Sequence, residues 1–174
     1  MTVLRLGVFV SLLLLVGLYG QRYAAGLGEG YLGEFEVAAM QSLQLAEATP
    51  AEKFLWRPAP GVRSIGEVYM HVAIGNYGLV GAAGVKLPPE ASELKRDSES
   101  KITAKAEVVG WLKASQELVR QSYPTADRKK VVKFLGKEQS AENVFLRILN
   151  HNHEHMGQSI AYARMNGIAP PWSK

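Results

Sequence analysis

The stretch Asn150-His151-Asn152-His153-Glu154-His155-Met156-Gly157-Gln158 decides how this chain is read, since it holds three of the four histidines. Ahead of it, Ser140 with Glu142 and Asn143 in the next turn carries the signals of a helix start. Behind it, Gly167 and then Pro170-Pro171 carry those of a stop. The spacing predicts one long helix from Ser140 to Asn166. On that helix Val144, Ile148, His151, His155, Gln158 and Tyr162 fall within roughly 60° of one direction, at about 3.6 residues per turn. His153 points almost oppositely, beside Leu149, Met156 and Ile160. The helix therefore shows its neighbours a stripe in which His151 stands one turn above His155, a spacing that lets two imidazoles share one metal ion.

A third histidine ligand has to come from elsewhere, and His71 is the one that remains. It lies in a second helical pattern. Ser64-Ile65-Gly66-Glu67 has the spacing of a capping box, with the helix expected to run to about Ala83. Val68, Gly75, Gly78 and Ala82 fall near the His71 side. Two readings of that small-residue face stay open: close approach of another helix, or room for a metal and its ligand. A single histidine facing a core is more often a hydrogen-bonded core residue than a ligand. Two facing inward within one turn are harder to satisfy, because each must be neutral and bonded when buried. A divalent ion held by His71, His151 and His155 satisfies them together. Neutral imidazole suits zinc, nickel, iron or copper, and three protein ligands leave a position open to water or substrate.

The remaining pattern is helical. Residues 33–48 form a first helix, ended by Thr49-Pro50, with Pro50 able to open a short turn through Ala51-Glu52-Lys53. Trp56 sits in a proline-stiffened connection and is expected to plug one end of the helices. Residues 85–102 are polar and irregular. Thr103 can cap a third long helix running to about Ser122, with Pro124 as its stop. Residues 124–139 contain Val131-Val132-Lys133-Phe134-Leu135-Gly136, read as a brief extended excursion or turn. The expected class is all-α, a four-helix bundle over residues 33–172.

The 174 residues are enough for one domain with a real core, and 47% hydrophobic with 21% charged is an ordinary globular balance. The absence of cysteine excludes disulfides, thiolate ligands and a cysteine nucleophile. A net charge of +4 is only mildly basic. The run Arg128, Lys129, Lys130, Lys133, Lys137 has no aromatic platform beyond Phe134, so it reads as solvated surface rather than a nucleic-acid patch. Arg5 followed by the apolar residues 8–18 is too short to span a membrane and suits a secretory signal. Residues 1–25 are therefore read as a signal peptide that exports the chain to the periplasm or beyond, or else as an uncleaved N-terminal membrane anchor. Gly26-Leu27-Gly28 lacks both the preceding strand and the full spacing of a phosphate loop.

Trp56-Arg57-Pro58-Ala59-Pro60-Gly61-Val62-Arg63-Ser64-Ile65-Gly66-Glu67 followed by His71 resembles the second-helix entry of the DinB-like family of metal-binding four-helix bundles. His151-x-x-x-His155-Met156-Gly157-Gln158, then Tyr162-x-Arg164, Gly167 and Pro170-Pro171, resembles that family's last helix. Together the two frame about residues 34–172. The resemblance implies one histidine triad at His71, His151 and His155. It also implies thiol-dependent S-transferases and isomerases among the possible activities, alongside members without one. Met156 stands where the family often has a basic residue.

Around the triad, Gln158 either orients an imidazole or bound water, or simply bridges helices. Tyr162 reads as core with its hydroxyl reaching a partner. Glu67 offers a carboxylate one turn before His71, though its capping role explains it more simply. Glu154, roughly 60° from His151 on the helix, is the nearest candidate general base. Three functions follow: metal-dependent chemistry on a small substrate, by thiol transfer or hydrolysis; metal binding without turnover; or an interaction module with structural histidines. A homodimer is plausible on general grounds. Di-metal carboxylate bundles are excluded because no Glu-x-x-His occurs, and the serine hydrolase elbow because no Gly-x-Ser-x-Gly does.

Overall fold

Two reciprocal hydrogen bonds set where the second helix begins. In the computed structural model, which describes residues 30–173, the Glu67 amide donates to the Ser64 hydroxyl at 3.3 Å. The Ser64 amide donates back to the Glu67 carboxylate at 2.7 Å. This is the capping box that the sequence predicts. The helices in chain order are α1 (Gly30–Ala48), α2 (Ile65–Ala82), the one-turn α3 (Ser98–Lys101), α4 (Lys105–Thr125) and α5 (Ala141–Met165). Strands β1 (Val131–Phe134) and β2 (Lys137–Ser140) lie between α4 and α5. The expected leader at residues 1–25 lies outside the described residues. Among the described residues no helix is long and apolar enough to cross a membrane.

The chain divides into two compact units, Met1–Val37 and Ala38–Lys174. Of the first, the structure describes the opening turns of α1, where the Tyr31 and Phe35 rings stack with centroids 6.1 Å apart. The second carries the site. Its core gathers Phe54, Val68, Tyr69, Met70, Val108 and Leu112, all buried, from the connection after α1 and from α2 and α4. Each such side chain withdrawn from water contributes about 1.5–3 kcal/mol before its ordering cost. Lys105 at the start of α4 donates to the carbonyls of Glu47 and Thr49, both at 2.7 Å, and so covers the open C-terminal end of α1. Trp56 closes one end as expected, packing edge-on against Tyr162 at 5.6 Å.

α2 packs against both α4 and α5. A buried polar ladder fixes their register. Asn152 on α5 donates to Asn76 on α2 at 2.7 Å, and Asn76 donates to Ser115 on α4 at 3.2 Å. An unmade bond at any of these positions would cost about 1–3 kcal/mol, so sliding one helix is penalised.

Two expectations shift. α4 starts at Lys105, with Ala104 rather than Thr103 before it and no side-chain cap. It also runs through Pro124 to Thr125. A proline in the last turn removes one donor there, and the turn still closes because Ala126 donates to the Ser122 carbonyl at 2.9 Å and the Thr125 hydroxyl to Gln121 at 3.0 Å. The extended excursion is an antiparallel hairpin pairing Val131 with Ser140 and Phe134 with Lys137. Its two-residue loop, Leu135-Gly136, takes φ of 51° and 78°, the mirror-image turn whose twist matches paired strands.

Candidate metal centre

α5 begins at a Ser140 side chain that accepts from the Asn143 amide, and its phase then does what the spacing predicts. His151 and His155 are buried on the face toward α2, each 8% exposed. His153 turns away, with Nδ1 3.2 Å from the carbonyl of Leu149. From α2, His71 meets the pair across a sequence gap of 80 residues. The ring centroids lie 5.0 Å apart for His71 and His151, 4.7 Å for His71 and His155, and 4.6 Å for His151 and His155. One nitrogen from each ring lies within 4.8 Å of the other two.

The outer nitrogens explain which inner ones are presented. His71 Nδ1 lies 2.7 Å from a Glu99 oxygen, and its N–H donates to that carboxylate. His155 Nδ1 likewise donates to the Gln158 side-chain carbonyl at 2.8 Å. Gln158 is held in that sense because its amide nitrogen donates to the Tyr162 hydroxyl at 2.9 Å. With both Nδ1 atoms protonated, Nε2 carries the lone pair on each ring. Glu99 is braced in turn by Arg63, whose Nε donates to it at 2.6 Å. Burial pushes the Glu99 carboxyl upward, but its bonds to Arg63 and His71 outweigh this and hold it below the usual range. Burial, followed by the charges of His155 and His71, pushes His151 down to about 3. His155 is also lowered, chiefly by burial. Both imidazoles are therefore neutral at neutral pH, as ligands must be.

Space for the cluster comes from α2. A Cβ placed on Gly75 would lie 2.5 Å from His151 Cε1 and 3.0 Å from its Nδ1. The glycine thus lets the α2 backbone approach the imidazole face. Gly78, on the same side, meets nothing within 4 Å.

The donor set fits a divalent transition ion. His71 and His151 Nε2 are 3.1 Å apart, close to the roughly 3.3 Å separating two ligands of a tetrahedral shell with bonds of about 2.0–2.1 Å. His151 Nδ1 is buried without a hydrogen-bond partner among the described residues, so nothing competes for that ring's orientation except the cluster itself. His71, with 26% of its side chain exposed, opens the cluster to solvent on one side.

The structure therefore brings together the three histidines named from sequence and leaves His153 apart. Gln158 takes the role of orienting an imidazole. Glu67 stays with its cap and with Arg57, at 2.9 Å. Glu154 is 62% exposed and faces Arg147 at 3.9 Å; it acts on His155 by its charge, not through a hydrogen bond. Sequence reasoning missed Glu99 and Arg63. Neither shares a periodic pattern with the histidines, and Glu99 is placed by α3, a single turn within residues taken as irregular.

A family model described as the DinB superfamily matches residues 34–159. A DinB-like protein from Bacillus cereus ATCC 10987, known from its crystal structure, superposes with a TM-score of 0.66 at 18% identity, covering 83% of this chain and 95% of that one. A search of curated proteins finds no match.

Proposed function

Because this chain belongs to the DinB superfamily, we propose that it binds one divalent transition ion, zinc, nickel or iron, through His71, His151 and His155, and uses it on a small substrate. The observation that carries this is the pair of Nδ1 partners. Glu99 and Gln158 turn two imidazoles so that their lone pairs share one space with the third. An ion bound there supplies Lewis acidity at a position left open to water, a thiol or a carbonyl, which suits thiol transfer or hydrolysis. The chain's own residues do the rest. Glu99, neutralised by Arg63, holds the His71 proton at Nδ1 and keeps its ring from rotating. Gln158 does the same for His155.

Elemental analysis of protein purified without an affinity tag tests the reading. One equivalent of transition metal is expected in the wild type and a loss in His71→Ala. No stoichiometric metal, or unchanged content in His155→Ala, overturns it. In the cobalt-substituted protein, azide or a small thiol is expected to shift the visible spectrum; no shift removes the open position. One observation favours the second reading, metal binding without turnover. Among the described residues, the carboxylate bonded to the cluster, Glu99, is already committed to Arg63, and Glu154, whose charge reaches His155, is exposed and faces Arg147, so neither is placed as a free general base.

A further inference from the structure

A hollow of about 590 Å³ lies beside the histidine cluster, and its lining includes Arg57, Arg63, Arg96, Ser100, Glu99 and Gln158. Glu99 and Gln158 are the two side chains that hold His71 and His155, so hollow and cluster share two walls. The charges do not balance. Glu67, also in the lining, is taken by Arg57 at 2.9 Å and by the Ser64 amide at 2.7 Å. Glu99 is taken by Arg63 and His71. Three guanidinium groups thus face two carboxylates, both already neutralised. Arg96 has no hydrogen bond or ion pair with any described residue. Of the five N–H groups on each guanidinium, Arg57 spends two, on Val62 and Glu67, and Arg63 spends two on Glu99. Several donors and one whole positive charge are left facing the hollow. Its volume is some twenty times the roughly 30 Å³ of a water molecule, room for a small organic molecule and not for a folded partner.

We propose that this hollow is the subsite for the carboxylate of a small organic acid whose reacting end reaches the three histidines. That second contact rests on the metal-centre reading above. Arg96 supplies the unspent guanidinium fork that matches a planar carboxylate, with the remaining N–H groups of Arg57 and Arg63 around it; the Ser100 hydroxyl is already spent on the Asp97 carbonyl at 3.1 Å. Arg63 also bonds Glu99 at 2.6 Å, and Glu99 bonds His71 at 2.7 Å, which places the guanidinium side of the hollow one carboxylate away from the cluster.

Calorimetric titration of the full chain, metal-free and metal-loaded, with succinate, uncharged succinamide and inorganic phosphate tests the subsite. Succinate is expected to bind both forms, succinamide neither. Arg96→Gln is expected to weaken succinate about tenfold, the loss of one charge-assisted pair, with metal content and helicity unchanged. Absence of succinate binding, equal binding of succinamide, or indifference to Arg96→Gln overturns the proposal. Phosphate binding tighter than succinate overturns the carboxylate assignment in favour of a phosphate ester. In the cobalt-loaded protein, 3-mercaptopropionate is expected to shift the spectrum at about a tenth of the concentration needed for 2-mercaptoethanol, an advantage lost in Arg96→Gln. Equal potency of the two thiols overturns the link between subsite and histidines. If neither thiol acts while succinate still binds through Arg96, the oxyanion subsite stands and the open metal position falls.

Discussion

Replacing Gly75 with alanine separates a metal site from an ordinary helix crossing. At a typical helix position the change gains about 1 kcal/mol from propensity alone. Here the added methyl would sit 2.5 Å from His151 Cε1. Ordinary carbon–carbon contacts lie at about 3.5–4.0 Å, so the ring has to retreat by roughly 1 Å. It has little freedom to do so. Its Nε2 is 3.1 Å from His71 Nε2, and its ring is 4.6 Å from that of His155. Overpacking of this kind costs about 1–3 kcal/mol, so the net change in the metal-free protein is a loss of about 0–2 kcal/mol. The effect on metal is larger. Ligand bonds tolerate about 0.2 Å, and a ring displaced several times that far ceases to ligate well, so affinity is expected to fall at least about tenfold. Gly78→Ala is the control on the same helix: with nothing within 4 Å, it keeps the propensity gain and leaves metal affinity alone. Urea denaturation without metal and competition against a chromophoric chelator measure the two quantities. If Gly75→Ala matches Gly78→Ala in both, the glycine does not serve the imidazole and the reasoning fails.

Glu99→Ala is expected to lower metal affinity tenfold to a hundredfold without changing helicity, because the His71 ring loses the acceptor that fixes it; Glu99→Gln, which keeps an acceptor oxygen but not the Arg63 ion pair, should lie between. Chelator competition with circular dichroism as a check decides this, and wild-type affinity in Glu99→Ala would remove the carboxylate's role. His153→Ala is expected to retain full metal content, since its ring bonds only the Leu149 carbonyl; loss of metal there would mean that the helical phase is misread. In metal-free protein the buried His151 is pushed down to about 3 and His155 is also lowered, while the unfolded chain titrates at about 6.5. Below that value the unfolded state takes up protons that the folded state refuses, so stability is full above it and falls as pH drops toward 3. Between pH 6.5 and 5 His151 alone accounts for up to roughly 2 kcal/mol, seen as a lower urea midpoint at pH 5 than at pH 7; equal midpoints would refute neutral burial.

What the sequence disclosed and what it hid divide along periodicity. His151, His155, Gln158 and Tyr162 sit on one helix, so a single angle per residue orders them, and the observed burial of that face follows. The Ser64–Glu67 box is local chemistry within four residues and was equally plain. The start of α4 was not, because its N-cap position, Ala104, makes no side-chain bond and leaves Thr103 as the more persuasive letter. The Asn76–Asn152 contact joins positions 76 residues apart, neither of which a hydrophobic pattern marks.

Glu99 shows the limit most sharply. It reaches His71 across 28 residues from a helix of four residues, whose own visible signal, the Asp97–Lys101 pair at 2.6 Å, concerns a different face. No spacing rule connects a one-turn helix to a distant imidazole; only the folded chain does. Yet the Glu99 carboxylate joins both halves of the site. One oxygen accepts the His71 Nδ1–H and turns Nε2 toward the cluster, while the other accepts the Nε–H of Arg63 at the edge of the arginine-lined hollow. A charge arriving in that hollow competes for Arg63 and so loosens its hold on Glu99. Under the proposed subsite, oxyanion binding and the hold on the His71 ring are thereby coupled through a single side chain, and Glu99→Gln, which breaks the Arg63 ion pair but keeps an acceptor, should reduce that coupling while leaving three histidines in place.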